Sequence, residues 1–321
     1  MKRNLTLAAS AAMFAALPLF AQETRTYPAP GEIVAAAKAE EWVAIAPSDL
    51  LVMDLAPLGS KPRRVVIQLM PAPFSQGWVG NIRKLAAAKW WDGTSINRVQ
   101  DNYVVQWGDA TEKKALPDEL AVVPESEYQK DIAALSPEQI WNFGPITKSG
   151  EQKYNFRLPD PYASAFAFAG AFPAGLVQEM GKNTLAPTHC YAMVGVGRNL
   201  SPDTGTGAEL YTVIGHAPRH LDRNIALIGR VIEGIEHLSS LPRGTGALGF
   251  YEKAEERVPI VSVRMGGEVK DLPAFEYLST ESTSFAAYAD ARANRRDPFF
   301  IKPAGGADIC NIPVPVRRKG A

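Results

Sequence analysis

Ile96-Asn97-Arg98-Val99-Gln100-Asp101-Asn102-Tyr103-Val104-Val105-Gln106-Trp107-Gly108-Asp109 is the stretch whose reading decides the fold. Two β-prone runs, Ile96–Val99 and Tyr103–Gln106, flank Gln100-Asp101-Asn102, and the Asp and Asn there favour a turn between paired strands. Upstream, residues 73–90 switch to a 3.6-residue period with Trp78, Ile82, Leu85 and Ala86 on one face, which predicts a helix stopped by Trp91-Asp92-Gly93-Thr94. Before it, residues 49–56 and 64–70 are short β runs around Pro57, Gly59 and Pro62, the punctuation of a hairpin. Residues 31–44 are Ala-rich at helical spacing and predict a short helix in an N-terminal arm, 22–47.

Downstream, residues 110–187 carry no clear period and are dense in Pro, Ala and charge. They are expected to be an insertion of loops with one short helix from Pro137 to Trp141. Regular patterning resumes with β runs at Tyr191–Val196 and Glu209–Ile214 around a Gly- and Pro-rich loop, then Leu227–Val231 and a second helix over Glu233–Leu241. Pro259–Arg264 alternates apolar and polar residues and would close the sheet. Eight strands and two helices within 48–265 result, with no internal repeat. Residues 266–321 hold a helix around Ser282–Arg295 and a Pro-rich tail, expected as an extension outside the core.

Lys plus Arg equal Asp plus Glu at 34 each, so no overall field draws the chain to nucleic acid or acidic lipid. Hydrophobic residues are 46% and charged residues 21%, the balance of a globular protein with a sizeable core. Lys2 and Arg3 precede an apolar run from Leu5 through Phe20 that ends at Ala21, the pattern of an export signal over 1–21. That run is short for a bilayer and polar residues follow at once, so no membrane span is expected after cleavage, and a periplasmic location fits best. The two cysteines, Cys190 and Cys310, can pair in an oxidising compartment, where closing a 120-residue loop would stabilise by about 4–5 kcal/mol. Two buried, unpaired thiols are the other reading.

With these elements in order, the chain resembles a cyclophilin. The resemblance rests on Ile96-Asn97-Arg98-Val99 and Tyr103 through Asp109, with Ala72-Pro73 and Asp92-Gly93-Thr94 upstream. Downstream it continues in Gly207 to Tyr211, His220-Leu221-Asp222 and Gly229-Arg230-Val231-Ile232-Glu233-Gly234. It covers residues 48–109 and 188–264 and implies a mainly β protein, a closed eight-stranded antiparallel barrel capped by two helices, with peptidyl-prolyl cis-trans isomerase activity. A single copy of such a barrel leaves no open sheet edge, and a monomer is expected.

The reaction explains the residue types. The planar amide resists rotation with a barrier of about 18–20 kcal/mol, and the prolyl nitrogen gains a lone pair only as the bond twists. A guanidinium aimed at that nitrogen favours the twisted state over both planar ones. The resemblance implies Arg98 in that role, Tyr103, Val104, Tyr211 and Leu221 as the lining of a proline slot, and Gln106 as a partner of the substrate backbone. Its partners would be proline-containing unfolded or loop segments of exported proteins, without metal or cofactor. Against the family pattern, Asn97 stands for a His, Trp107 for a Gly, Glu209 for a Gln in the binding set, Leu210 for a Phe, His220 for a Trp and Ile225 for a His. A carboxylate at 209 next to Arg98 would form a salt bridge that draws the guanidinium off substrate. The alternative function is therefore a catalytically weak proline-peptide binding or scaffold protein of the cell envelope.

Three other strings carry no chemistry. Gly244 to Gly249 fits GxGxxG but follows a helix and a proline where a strand is needed, Asp203-Thr204-Gly205 has no second copy to share a proton, and neighbouring His189 and Cys190 cannot face each other as base and nucleophile.

Overall fold

The computed structural model describes residues 27–135, 160–179 and 181–320; the export signal expected over 1–21 and the helix expected at Pro137–Trp141 lie outside them. The arm forms a short helix, Pro30–Ala35 (α1), and then a strand, Trp42–Ile45 (β1). The hairpin follows as Leu50–Leu58 (β2) and Lys61–Leu69 (β3), paired from Leu50↔Gln68 to Leu58↔Lys61, with Gly59 at positive φ in the tight turn. Helix Gln76–Ala87 (α2) buries Trp78, Val79, Ile82, Leu85 and Ala86, the stripe its period demands. Val79, Ile82 and Leu85 each contribute about 1.5–3 kcal/mol on leaving water. The indole of Trp78 also donates to the carbonyls of Thr204 and Gly205, at 3.1 and 3.0 Å, which ties α2 to the loop of the functional face.

Ser95–Val99 (β4) and Val104–Gly108 (β5) form the expected pair, with Asn102 in the left-handed region of their turn. The insertion is more ordered than its sequence predicts. Lys130–Asp131 (β6), Ala165–Ala169 (β7), Phe172–Glu179 (β8) and Lys182–Pro187 (β9) make a four-stranded antiparallel sheet in the order β6-β9-β8-β7. Pairing and burial of Phe168, Phe172 and Leu185 override the weak β-propensity of their Ala, Gly and Pro neighbours.

The main sheet resumes with Met193–Val196 (β10), Leu210–Val213 (β11) and Leu227–Glu233 (β12). The second helix is a single turn, Glu236–Ser239 (α3), because Glu233 belongs to β12 and Gly234 turns away at positive φ. Val258–Met265 (β13) completes a closed eight-stranded antiparallel barrel, β10-β11-β5-β4-β13-β2-β3-β12, with β12 pairing back to β10. Its interior holds Met53, Val65, Ile67, Ile96, Val105, Trp107, Leu210 and Val263.

The C-terminal extension departs from expectation as well. Phe275–Leu278 (β14), Thr283–Ala293 (α4) and Val316–Arg318 (β15) build a three-stranded sheet with the arm, in the order β1-β14-β15. Phe285, Tyr288 and Ile309 join the same apolar cluster as the barrel, so this segment is part of the core. Hydrogen bonds from Ser284 pull the Glu41 carboxyl down to about 2 and fasten the arm to the start of α4. Cys190 and Cys310 are joined in a disulfide across 120 residues, which closes the choice left open by the sequence. No helix among the described residues is long and apolar enough to cross a membrane.

Candidate active site

Arg98 stands on the outer surface of the barrel because of a register shift. Ile96 pairs with Trp107, but Arg98 pairs with Gln106, so Asn97 is one residue too many on β4. Residues i and i+2 of a regular strand share a face, and a bulge reverses that parity. Ile96 and Trp107 therefore point into the barrel, fully buried, while Arg98 and Gln106 point outward together. Asn97 fills the bulge: its amide donates to Gly108 O at 3.2 Å and its side-chain oxygen accepts from Ser95 Oγ at 2.6 Å.

The outward face of β5 and β11 supplies the floor. Gln106 pairs with Tyr211 and Val104 with Val213, and Val104, Tyr211 and Val213 form an apolar cluster separate from the barrel core, flanked by Tyr103, Leu221 and Ile225. Tyr211 can lie flat across β10 only because residue 195 is glycine, since a Cβ there would stand 2.3 Å from the phenol ring. Arg98, Tyr103, Val104, Gln106, Tyr211 and Leu221 all line one cavity of about 120 Å³, together with Gly197, Arg198 and Ile225. Six of the seven residues expected from the sequence in the catalytic and substrate-binding set are thus brought together.

Glu209 is the seventh, and it is not among the lining residues. Its Oε1 accepts from the Asp109 amide at 2.7 Å and its carboxyl bonds the side chain of Gln106. The salt bridge expected with Arg98 is absent among the described residues: the guanidinium's partners are Leu248 O at 2.7 Å from Nε, Gln106 Oε1 at 3.2 Å from Nη1, and Gln100 Oε1. Burial raises the Glu209 carboxyl to about 7, so near neutrality a large share of it carries no charge to attract an arginine.

Arg98 is further held between two rings, 5.6 Å from the Tyr103 centroid and 5.3 Å from that of Phe250. Burial lowers the guanidinium from its usual value, and it stays cationic at physiological pH. Burial likewise raises the Tyr103 phenol, so it stays protonated beside Arg98. His220, in the place of the usual Trp, stacks on Tyr103 with centroids 6.1 Å apart. Leu248 and Phe250 belong to the glycine-rich loop after α3; a backbone bridge between Arg98 and Phe250 sets that loop against β4.

Beneath the floor runs a buried polar chain that sequence reading did not find. The Tyr211 hydroxyl meets His189 Nε2 at 2.7 Å, and His189 Nδ1 meets Asp222 Oδ1 at 2.9 Å. Burial pushes the imidazole pKa down, so the ring is neutral: Nδ1–H donates to Asp222 and Nε2 accepts a hydrogen bond from the Tyr211 hydroxyl. Asp222 also accepts from Arg219 Nε at 2.5 Å, and Arg219 reaches Asp160 in the insertion at 3.2 Å and Asp308 in the extension at 3.8 Å. The segments outside the barrel therefore brace the pocket wall. Asp203-Thr204-Gly205 is a turn, with Gly205 N donating to Asp203 Oδ1 at 2.9 Å.

A family model described as cyclophilin type peptidyl-prolyl cis-trans isomerase/CLD matches residues 64–265. Among solved structures, the crystal structure of cyclophilin AquaCyp293 from Hirschia baltica superposes with a TM-score of 0.63 at 22% identity. That alignment covers 86% of this chain and 92% of that one, a likeness of fold. None of the curated proteins matches.

Proposed function

The chain belongs to the cyclophilin-type peptidyl-prolyl cis-trans isomerase family, and on that premise we propose that it accelerates rotation about X-Pro bonds during the folding of exported proteins. One observation carries the proposal: the bulge at Asn97 turns Arg98 out of the barrel and onto an apolar slot floored by Val104 and Tyr211. A pyrrolidine ring seated on that floor places its nitrogen within reach of the Arg98 fork. Three of the fork's five donors are already oriented by Leu248, Gln106 and Gln100, so its position is set before substrate arrives. As the amide twists, a remaining N–H bonds the nitrogen lone pair, an interaction that planar amides cannot offer. No covalent intermediate is required. A folding role answers a real delay, because uncatalysed isomerisation takes tens to hundreds of seconds. The Cys190–Cys310 disulfide and the signal-like residues 1–21 support an exported, periplasmic setting.

A second reading, a proline-peptide binder that does not catalyse, is favoured by one observation: Arg98 Nε–H is given to the Leu248 carbonyl and not to substrate. A protease-coupled assay on a proline tetrapeptide separates the two. Catalysis at least about a hundredfold above background, equal to about 2.7 kcal/mol of barrier, that disappears in Arg98→Ala supports the enzyme. A wild-type trace no faster than background, with the peptide still bound, leaves the binder.

A further inference from the structure

Two guanidinium groups open onto the pocket, and the reaction uses only one of them. Arg198 follows β10 by two residues and lines the same cavity as Arg98. Backbone carbonyls fix its fork: Nε and Nη2 donate to Asn224 O at 3.1 and 2.8 Å, and Nη1 donates to Asn199 O at 2.7 Å. Two of the five N–H donors are left, one on each terminal nitrogen.

Among the described residues no carboxylate lies within ion-pair distance of Arg198, and none of the residues lining the cavity is acidic. The Asp203 carboxylate, held by the amides of Asn199 and Gly205 at 2.8 and 2.9 Å, feels the charge of Arg198 but makes no ion pair with it and does not line the cavity. The slot therefore presents two positive groups and no negative one.

The barrel order places these groups apart. Strands β4 and β10 are separated by β5 and β11, so at about 4.8 Å per strand their backbones stand roughly 14 Å apart. Both side chains line the same cavity as Val104 and Tyr211 of the floor. Because both side chains nevertheless line one cavity of only about 120 Å³, a peptide with its prolyl amide at Arg98 brings a residue one or two positions away beside Arg198, since an extended chain advances about 3.4 Å per residue.

We propose that Arg198 is a specificity-determining residue that selects substrates carrying an acidic side chain within two residues of the proline. This rests on the reading above that the slot takes proline. A carboxylate matches the planar fork, and because carbonyls already hold that fork, little side-chain freedom is lost on pairing.

The test uses the mature chain and a set of peptides with one proline, in which Glu, Gln or Lys occupies each of the two positions before and after it. Binding by fluorescence anisotropy and turnover are both measured. At one position Glu should exceed Gln by about tenfold, the scale of a charge-assisted hydrogen bond, and Lys should fall below Gln. In Arg198→Met the Glu-to-Gln ratio should drop to near one, and Arg198→Lys should restore part of it. Adding 0.5 M salt (a Debye length of about 4 Å) should shrink the wild-type ratio. A wild-type ratio of one at every position, or a ratio unchanged in Arg198→Met, overturns the proposal. Loss of turnover with every peptide would count against the isomerase reading alone, because the binding ratio still reports the selection.

Discussion

Replacing Glu209 by Gln should make the protein more stable at pH 8 and leave it unchanged at pH 4. The carboxyl is drawn toward its neutral form chiefly by burial, helped by the charges of Asp109 and Glu112 and opposed by bonds from the Asp109 amide and Gln106. In the unfolded chain it releases its proton near 4.5, and in the fold near 7. At about 1.36 kcal/mol per tenfold change in proton affinity, ionising it in place costs the fold about 3 kcal/mol. The stability tied to the protonated form is complete below pH 4.5, falls between 4.5 and 7, and is gone above that. Gln keeps an oxygen for the Asp109 amide without the charge, so Glu209→Gln should gain up to about 3 kcal/mol at pH 8. Denaturant unfolding of both proteins at the two pH values gives the number, and taking the difference between them cancels every other titrating group. An equal difference between variant and wild type at pH 4 and pH 8 would refute the reasoning.

Tyr211→Phe keeps the ring on the pocket floor but leaves His189 Nε2 buried without its donor; a loss of about 1–3 kcal/mol in denaturant unfolding is expected, and no loss would mean the bond is not made. Cys310→Ser opens a loop of 120 residues and should cost about 4–5 kcal/mol by the chain-entropy argument, read as a lower midpoint that matches wild type under reductant. Gly195→Ala puts a methyl group where the Tyr211 ring lies, so it should weaken proline-peptide binding more than it lowers the unfolding midpoint; unchanged binding would show that the floor tolerates a shifted ring.

Much of the barrel was legible because its strands alternate and its helix keeps a 3.6-residue period. Trp78, Ile82 and Leu85 are buried as that period requires, and Ser282 caps α4 where the helix was expected to begin. The site was legible as a set of residue types and not as a geometry. Ile96 and Arg98 are two apart, a spacing that in a regular strand puts both on one face; only the pairing with β5 reveals the bulge that separates them. The insertion escaped because Ala165–Ala169 and Phe172–Glu179 are rich in residues that favour strands only when a partner strand is present. Arg198 escaped because an arginine in a Gly- and Pro-rich loop has no periodic neighbour to show where it points. His189 and Asp222 are 33 residues apart, and no spacing rule joins them.

The central claim is that the Arg98 guanidinium, and not the slot alone, lowers the rotational barrier. Exchange spectroscopy by NMR tests it most directly, on a proline peptide with substoichiometric protein, comparing wild type with Arg98→Ala. Cis–trans exchange cross-peaks are expected with wild type and none with the variant, while the peptide still perturbs the Tyr103 and Tyr211 resonances in both. Exchange that persists at the wild-type rate in Arg98→Ala would contradict it.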